Sequence, residues 1–245
     1  EGIKQHKEII EELFAWNVWH YELNTQPKVL VLDTRTHRWR SEYEARPSGL
    51  LDYERLQELK RKVKGEETVI IVSAAPIFGV KVIEAIQKLF TWFGQALTVD
   101  AENWMAHKGT AKVLMQIFTD KETAEQYIIL SGDVHYSFAY DIRIRFRRCQ
   151  PSIHQITASG IKNQFPVKLI TMLDKINRYL YGHKSPLNWF TKRRRMDIGT
   201  RYPDRKNKSQ SLVSKSGVGL LEINEKRKRP DAKILLHDGN DIEFK

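Results

Sequence analysis

Three features of this sequence predict an α/β fold with antiparallel additions. Three short, continuous apolar runs, Val29-Leu30-Val31-Leu32, Val69-Ile70-Ile71-Val72 and Tyr127-Ile128-Ile129-Leu130, have the length and β-branched content of strands buried on both faces. Amphipathic helical patterns separate them, as crossover connections would. Beyond residue 131 the pattern changes: Ile142, Ile144 and Phe146 alternate with Arg143, Arg145 and Arg147, which is the period of a half-exposed strand.

The elements follow in order. Ile9, Ile10, Leu13 and Phe14 recur at helical spacing within residues 4–19. The strand at 29–32 ends in Asp33-Thr34-Arg35, and a charged helix at 52–64 is closed by Gly65. The second strand, 68–73, runs into Ala74-Ala75-Pro76-Ile77-Phe78-Gly79, a loop by its Pro and Gly. Ile83, Ile86, Leu89, Phe90 and Phe93 share a face of a helix at 81–93, and a further helix is predicted at 110–118. The third strand, 127–130, ends at Ser131-Gly132-Asp133-Val134-His135. Strands at 140–148 and 153–157, a helix at 166–181 and closing strands at 219–223 and 232–237 complete the reading. Residues 191–215 are polar and basic and read as a long irregular insertion.

At 245 residues and 41% hydrophobic content, the chain can bury one sizeable core or two small ones. No linker rich in Pro, Gly or Ser marks a boundary, and no internal repeat occurs. The single cysteine, Cys149, excludes an internal disulfide and reads as structural. The formal net charge of +11 favours anionic partners, whether phosphate esters, nucleic acid or acidic membrane surfaces. No apolar run is long enough to span a bilayer. Glu1-Gly2-Ile3-Lys4 has neither an initiator Met nor a signal-peptide core, so the chain is expected to begin inside a longer one, and its compartment is not legible.

Ser131-Gly132-Asp133-Val134-His135 is the strongest local signal, because it follows an apolar strand where polar side chains converge on a site. If extended geometry continues, Asp133 and His135 point to one face and offer a carboxylate oxygen and an imidazole nitrogen to one metal. The competing reading is a turn in which Asp133 caps the chain. Asp33-Thr34-Arg35 is either a strand-end ion pair or part of the same cleft, with Arg35 suited to a phosphate oxygen. His154 reads as a strand histidine and Asn163 as a helix cap.

Gly132-Asp133-Val134-His135-Tyr136-Ser137-Phe138 resembles the late metal-binding motif of PhoD-like (alkaline phosphatase D type) metallophosphatases. Val29-Leu30-Val31-Leu32-Asp33-Thr34-Arg35 is similar to that family's strand ending in Leu-Asp-Thr-Arg, and Ile71 to Gly79 to its next strand and loop. Asp100-Ala101-Glu102-Asn103-Trp104, His154 to Asn163 and Gly217 to Ile223 continue the resemblance in the family's order across nearly all of the chain. It implies a metallophosphoesterase-like core of two facing sheets flanked by helices, of which residues 1–245 form the C-terminal portion. It implies two divalent or trivalent metal ions (Zn, Mn, Fe or Ca) that activate a water against a phosphate mono- or diester. Asp133 and His135 would be metal ligands, Asp33 and Arg35 catalytic residues, and Arg35 the substrate-binding cation. The family's early Asp-x-His, Gly-Asp and Asn-His motifs are missing: Gly132-Asp133 is the only Gly-Asp pair, and no Asn-His pair occurs. Most ligands are therefore expected upstream, with that N-terminal portion as a partner and this chain alone inactive.

Lys192-Arg193-Arg194-Arg195 and Lys226-Arg227-Lys228-Arg229 are dense basic runs, the second placed as a hairpin tip. Trp189, Phe190 and Tyr202 lie near the first, but no nucleic-acid motif accompanies either, so a solvated surface that attracts anionic substrate is the preferred reading. The alternative function is a non-catalytic binding module that uses this basic face for nucleic acid or an acidic partner.

Overall fold

The computed structural model describes residues 2–15, 19–39, 49–92, 104–105, 107–145, 150–158, 160, 166–182, 185–191, 195–203, 210–224 and 229–245. In chain order the elements are α1 (Gly2–Ala15), β1 (Tyr21–Leu23), β2 (Lys28–Val31), α2 (Tyr53–Lys62), β3 (Thr68–Ser73), α3 (Lys81–Trp92), α4 (Lys108–Phe118), β4 (Gln126–Ser131), β5 (Phe138–Ile144), β6 (Ser152–Thr157), α5 (Val167–Tyr181), a short 3-10 helix (Pro186–Phe190), β7 (Met196–Arg201), β8 (Gly217–Glu222), β9 (Asp231–Leu236) and β10 (Asp241–Phe244).

Seven strands form one mixed sheet in the order β1-β2-β3-β4-β6-β5-β7. The four inner strands β2, β3, β4 and β6 are parallel, with Val31 opposite Val72, Val72 opposite Leu130, and Ser131 opposite Thr157. β1, β5 and β7 pair antiparallel. The apolar runs are buried on both faces because each face meets a different layer. Leu30, Val69, Ile71, Tyr127 and Ile129 join a core with α2 and α4, whereas Ile70, Ile128 and Ile156 join a second core with Ala232, Ile234 and Phe244. That second core is closed by the antiparallel sheet β10-β9-β8. Two facing sheets, with helices covering the outer face of the larger one, are the architecture of the described residues.

Local signals set the boundaries. Asp52 caps α2 by accepting the Arg55 N–H at 2.8 Å, and Gly65 takes φ +75° beyond its end. At Gly217 a side chain cannot fit, since a Cβ there would meet the Leu235 carbonyl oxygen at 2.6 Å.

The structure differs from the expected pattern in three places. Residues 191–215 are not wholly irregular, because Met196–Arg201 is a strand registered on β5 with Met196 opposite Ile144. Its sequence, Met-Asp-Ile-Gly-Thr-Arg, carries only two apolar residues, and the buried Arg201 at its end bonds to Asp141 on β5. β5 starts at Phe138, earlier than expected: the expected alternation holds at its end, with Ile142 and Ile144 buried and Arg143 and Arg145 exposed, whereas the second sheet covers Ala139 at its start. The strands β1 and β10, of three and four residues, were too short to announce themselves. Cys149, Asn163 and most of both basic runs lie outside the described residues.

Candidate functional site

Because β2, β3 and β4 run parallel, their C-terminal ends open on one edge of the sheet. Asp33 follows β2 and Asp133 follows β4, so two interstrand spacings, roughly 10 Å, separate their backbones across β3. This is the edge at which open α/β sheets place ligands.

Asp33 is buried and closes a tight turn. Its Oδ1 accepts the backbone N–H of Arg35 and of Thr36, each at 2.9 Å, and its Oδ2 accepts the Thr36 hydroxyl. Burial pushes the Asp33 carboxyl up, but the hydrogen bonds from Thr36 and Arg35 outweigh it and hold the group below its usual range. Asp33 is thus an ionised turn former, and the turn carries Arg35 outward into solvent. Arg38 anchors the same turn by donating Nε to the Thr34 carbonyl at 2.6 Å.

At the end of β4 the Gly132 N–H bonds the Ala74 carbonyl at 3.1 Å, tying the strand to the loop after β3. Asp133 then takes φ +63°, the one positive φ at a non-glycine among the described residues. Asp tolerates this left-handed region better than most residues because its short side chain bonds locally. Val134 packs onto the helix-side core, leaving Asp133 and His135 exposed on either side of it. Extended geometry therefore stops at Ser131, and a bend, not a continuing strand, presents the two candidate ligands. Asp133→Gly is expected to change unfolding free energy by less than about 0.5 kcal/mol. Asp133→Val should cost about 1–2 kcal/mol. Urea denaturation of both variants measures the difference.

Buried side chains to which the sequence pattern assigned no role hold this edge together. Gln155, fully buried on β6, grips the Phe78 peptide with both ends of its amide: Oε1 accepts the Phe78 N–H and Nε2 donates to the Phe78 carbonyl, each at 2.9 Å. Ser131 and Thr157 share a hydroxyl bond of 2.8 Å. Trp104, also fully buried, donates Nε1 to Ser73 Oγ at 3.0 Å. β6 reads Ser-Ile-His-Gln-Ile-Thr, with four polar residues in six, so no local pattern singles out Gln155 for this clamp.

His154 is the strand histidine the sequence suggested, and it belongs to a buried polar group on the face of the second sheet. Its Nδ1 lies 2.7 Å from Asp141 Oδ1, and its Nε2 lies 3.0 Å from Ser152 Oγ. Arg201, 1% exposed, donates Nε and Nη2 to the same Asp141 oxygen at 2.9 and 2.6 Å, and Nη1 to the Pro230 carbonyl at 2.8 Å. Arg229, from the second basic run, reaches Asp141 Oδ2 at 3.1 Å. Burial pushes the Asp141 carboxyl up, but bonds from His154 and Arg201 and the charges of Arg201 and Arg229 bring it down to about 2. Serine, histidine and aspartate stand in relay order, yet two guanidiniums already match the carboxylate and the imidazole is sealed between the sheets. The group is a cross-link joining β5, β6, β7 and the β8–β9 connection.

Among the described residues, no three His, Cys, Asp or Glu side chains come together as a set that could hold a metal ion. Asp133 and His135 supply two suitable donors, which do not by themselves make a two-metal centre. No helix among the described residues is long and apolar enough to cross a membrane. No family model, curated protein or solved structure matches this chain.

Proposed function

We propose that this chain is the C-terminal part of a metal-dependent phosphatase acting on phosphate mono- or diesters. The supporting observation is the placement of Arg35 after β2 and of Asp133 and His135 after β4, all three exposed at the same edge of a parallel sheet. The C-terminal edge of parallel strands is where open α/β sheets bind ligands. When bound, the metals would supply an activated water and neutralise phosphoryl charge. Within this chain, Arg35 binds a phosphate oxygen through its guanidinium, Asp33 fixes the turn that presents it, and Asp133 and His135 contribute two of the metal ligands.

The remaining ligands come from an N-terminal portion of the same protein. A further layer also has a place to pack: Val218, Leu220 and Leu235 are exposed on the outer face of the second sheet, where Val218 sits opposite Leu235. This chain alone is expected to hydrolyse an aryl phosphate no faster than buffer with Mn, Zn, Fe or Ca present. Robust metal-dependent turnover by residues 1–245 would overturn the ligand assignment.

A further inference from the structure

A groove of about 460 Å³ lies along one side of α4, away from the edge that carries Asp33 and Asp133. Lys108, Ala111, Lys112, Met115 and Gln116 form one wall, a stripe at helical spacing, while Trp189 and Thr191 stand at or just beyond the 3-10 helix. Ile144 and Met196 contribute from the main sheet, where they pair with each other beyond the start of β6. They lie at the opposite end of the strands from the candidate phosphatase site.

Two properties of the lining point to one ligand class. Four cations line the groove, Lys108, Lys112, Arg145 and Arg195, and no carboxylate is among its described lining residues. Arg145 has Asp197 nearby at 3.6 Å, a long contact in a half-exposed setting that offsets little of its charge. The apolar part of the lining is Met105, Met115, Met196, Ile144 and Ala111. Methionine side chains are unbranched and polarisable, and they conform to a flexible chain better than to a rigid ring. Trp189 is 64% exposed, so it stands at the rim and is positioned to cover a ligand, not to be filled by one. The volume suits a ligand of lipid-fragment or drug size.

We infer that this groove binds a phosphate monoester carrying a single apolar chain. The lysines and arginines take the phosphate, the methionines take the chain, and Trp189 closes over it. The inference stands apart from the phosphatase reading, since it involves neither the strand-end residues nor a metal.

The test is titration of the purified chain with dodecyl phosphate below its micelle concentration, read by calorimetry and by tryptophan fluorescence. The expected affinity is on the order of 10 μM. Binding of inorganic phosphate and of the uncharged dodecyl maltoside should each be at least about tenfold weaker, since each offers only half of the contacts. Lys112 is exposed on α4, so Lys112→Glu should leave the fold intact while weakening dodecyl phosphate at least about fivefold, an effect that shrinks as salt rises. Trp189→Phe should remove the fluorescence response while calorimetric binding persists. Equal affinity for inorganic phosphate would reduce the groove to an anion patch and overturn the proposal, as would equal affinity for the uncharged amphiphile. Tighter binding of a single-stranded oligonucleotide, sensitive to Lys112→Glu, would assign the groove to nucleic acid instead. Undiminished dodecyl phosphate binding by Lys112→Glu would place that ligand elsewhere.

Discussion

Arg201→Met is expected to lower the unfolding free energy by about 3 kcal/mol, because it leaves a carboxylate between two sheets without its principal partner. Arg201 is almost wholly buried and makes two bonds to one Asp141 oxygen and a third to the Pro230 carbonyl. Arg229 remains beside Asp141 at 3.1 Å, and the Asp141 side chain keeps 33% of its exposure, so the loss falls at the low end for a broken buried pair. The same network has a pH signature. The folded-state pKa of Asp141 is depressed from 3.8 to about 2, so its contribution is fully present above pH 3.8 and is lost as pH falls towards 2. Asp141→Asn should remove that part of the acid slope between about pH 5 and 2. Glu58, brought down to about 2 by Arg55 and Lys62 against the effect of its own burial, contributes a separate part that the variant retains. Chemical denaturation of wild type, both single variants and the double variant, at pH 7 and at pH 3, measures the coupling. A cost under 1 kcal/mol for Arg201→Met at pH 7 would show that the guanidinium merely fills space.

On the proposed phosphatase reading, His135→Ala in a protein that carries the remaining ligands is expected to lower metal-dependent phosphate-ester turnover by at least about 100-fold. Its melting temperature should move by no more than about 2 °C, since His135 is exposed and its removal opens no core cavity. Loss of a ligating imidazole changes both metal affinity and the pKa of bound water, so metal content should fall with turnover. Arg194→Ala, in the first basic run, serves as the contrast. It should act through long-range attraction, and its effect should fade as salt rises while the His135→Ala defect persists. Near-normal turnover with full metal content in His135→Ala would refute its assignment as a ligand.

Much of the fold can be read from local pattern. The β3 run is the strand Thr68–Ser73 as expected, and α2, α4 and α5 fall within two residues of their predicted ends. Strands buried on both faces need continuous apolar runs, and capped helices need their cap residues, so these elements depend on signals carried within a few residues. Asp33-Thr34-Arg35 and Asp133-Val134-His135 were visible for the same reason, as polar breaks at the ends of apolar strands.

What the sequence by itself determined is therefore the buried strands β2, β3 and β4, the helices α2, α4 and α5, and the polar breaks that follow β2 and β4. Only the tertiary structure decided what those segments meet. β7 is a strand because β5 offers it an edge and Asp141 offers Arg201 a partner 60 residues away, and neither is written in Met-Asp-Ile-Gly-Thr-Arg. Gln155 became a clamp only when Phe78, 77 residues earlier, was folded against it. The groove beside α4 draws its cations from a helix, a strand end and the segment before β7. Local propensity acts over one turn or one strand, whereas burial, ion pairing and concavity arise between residues that only the packed chain brings together.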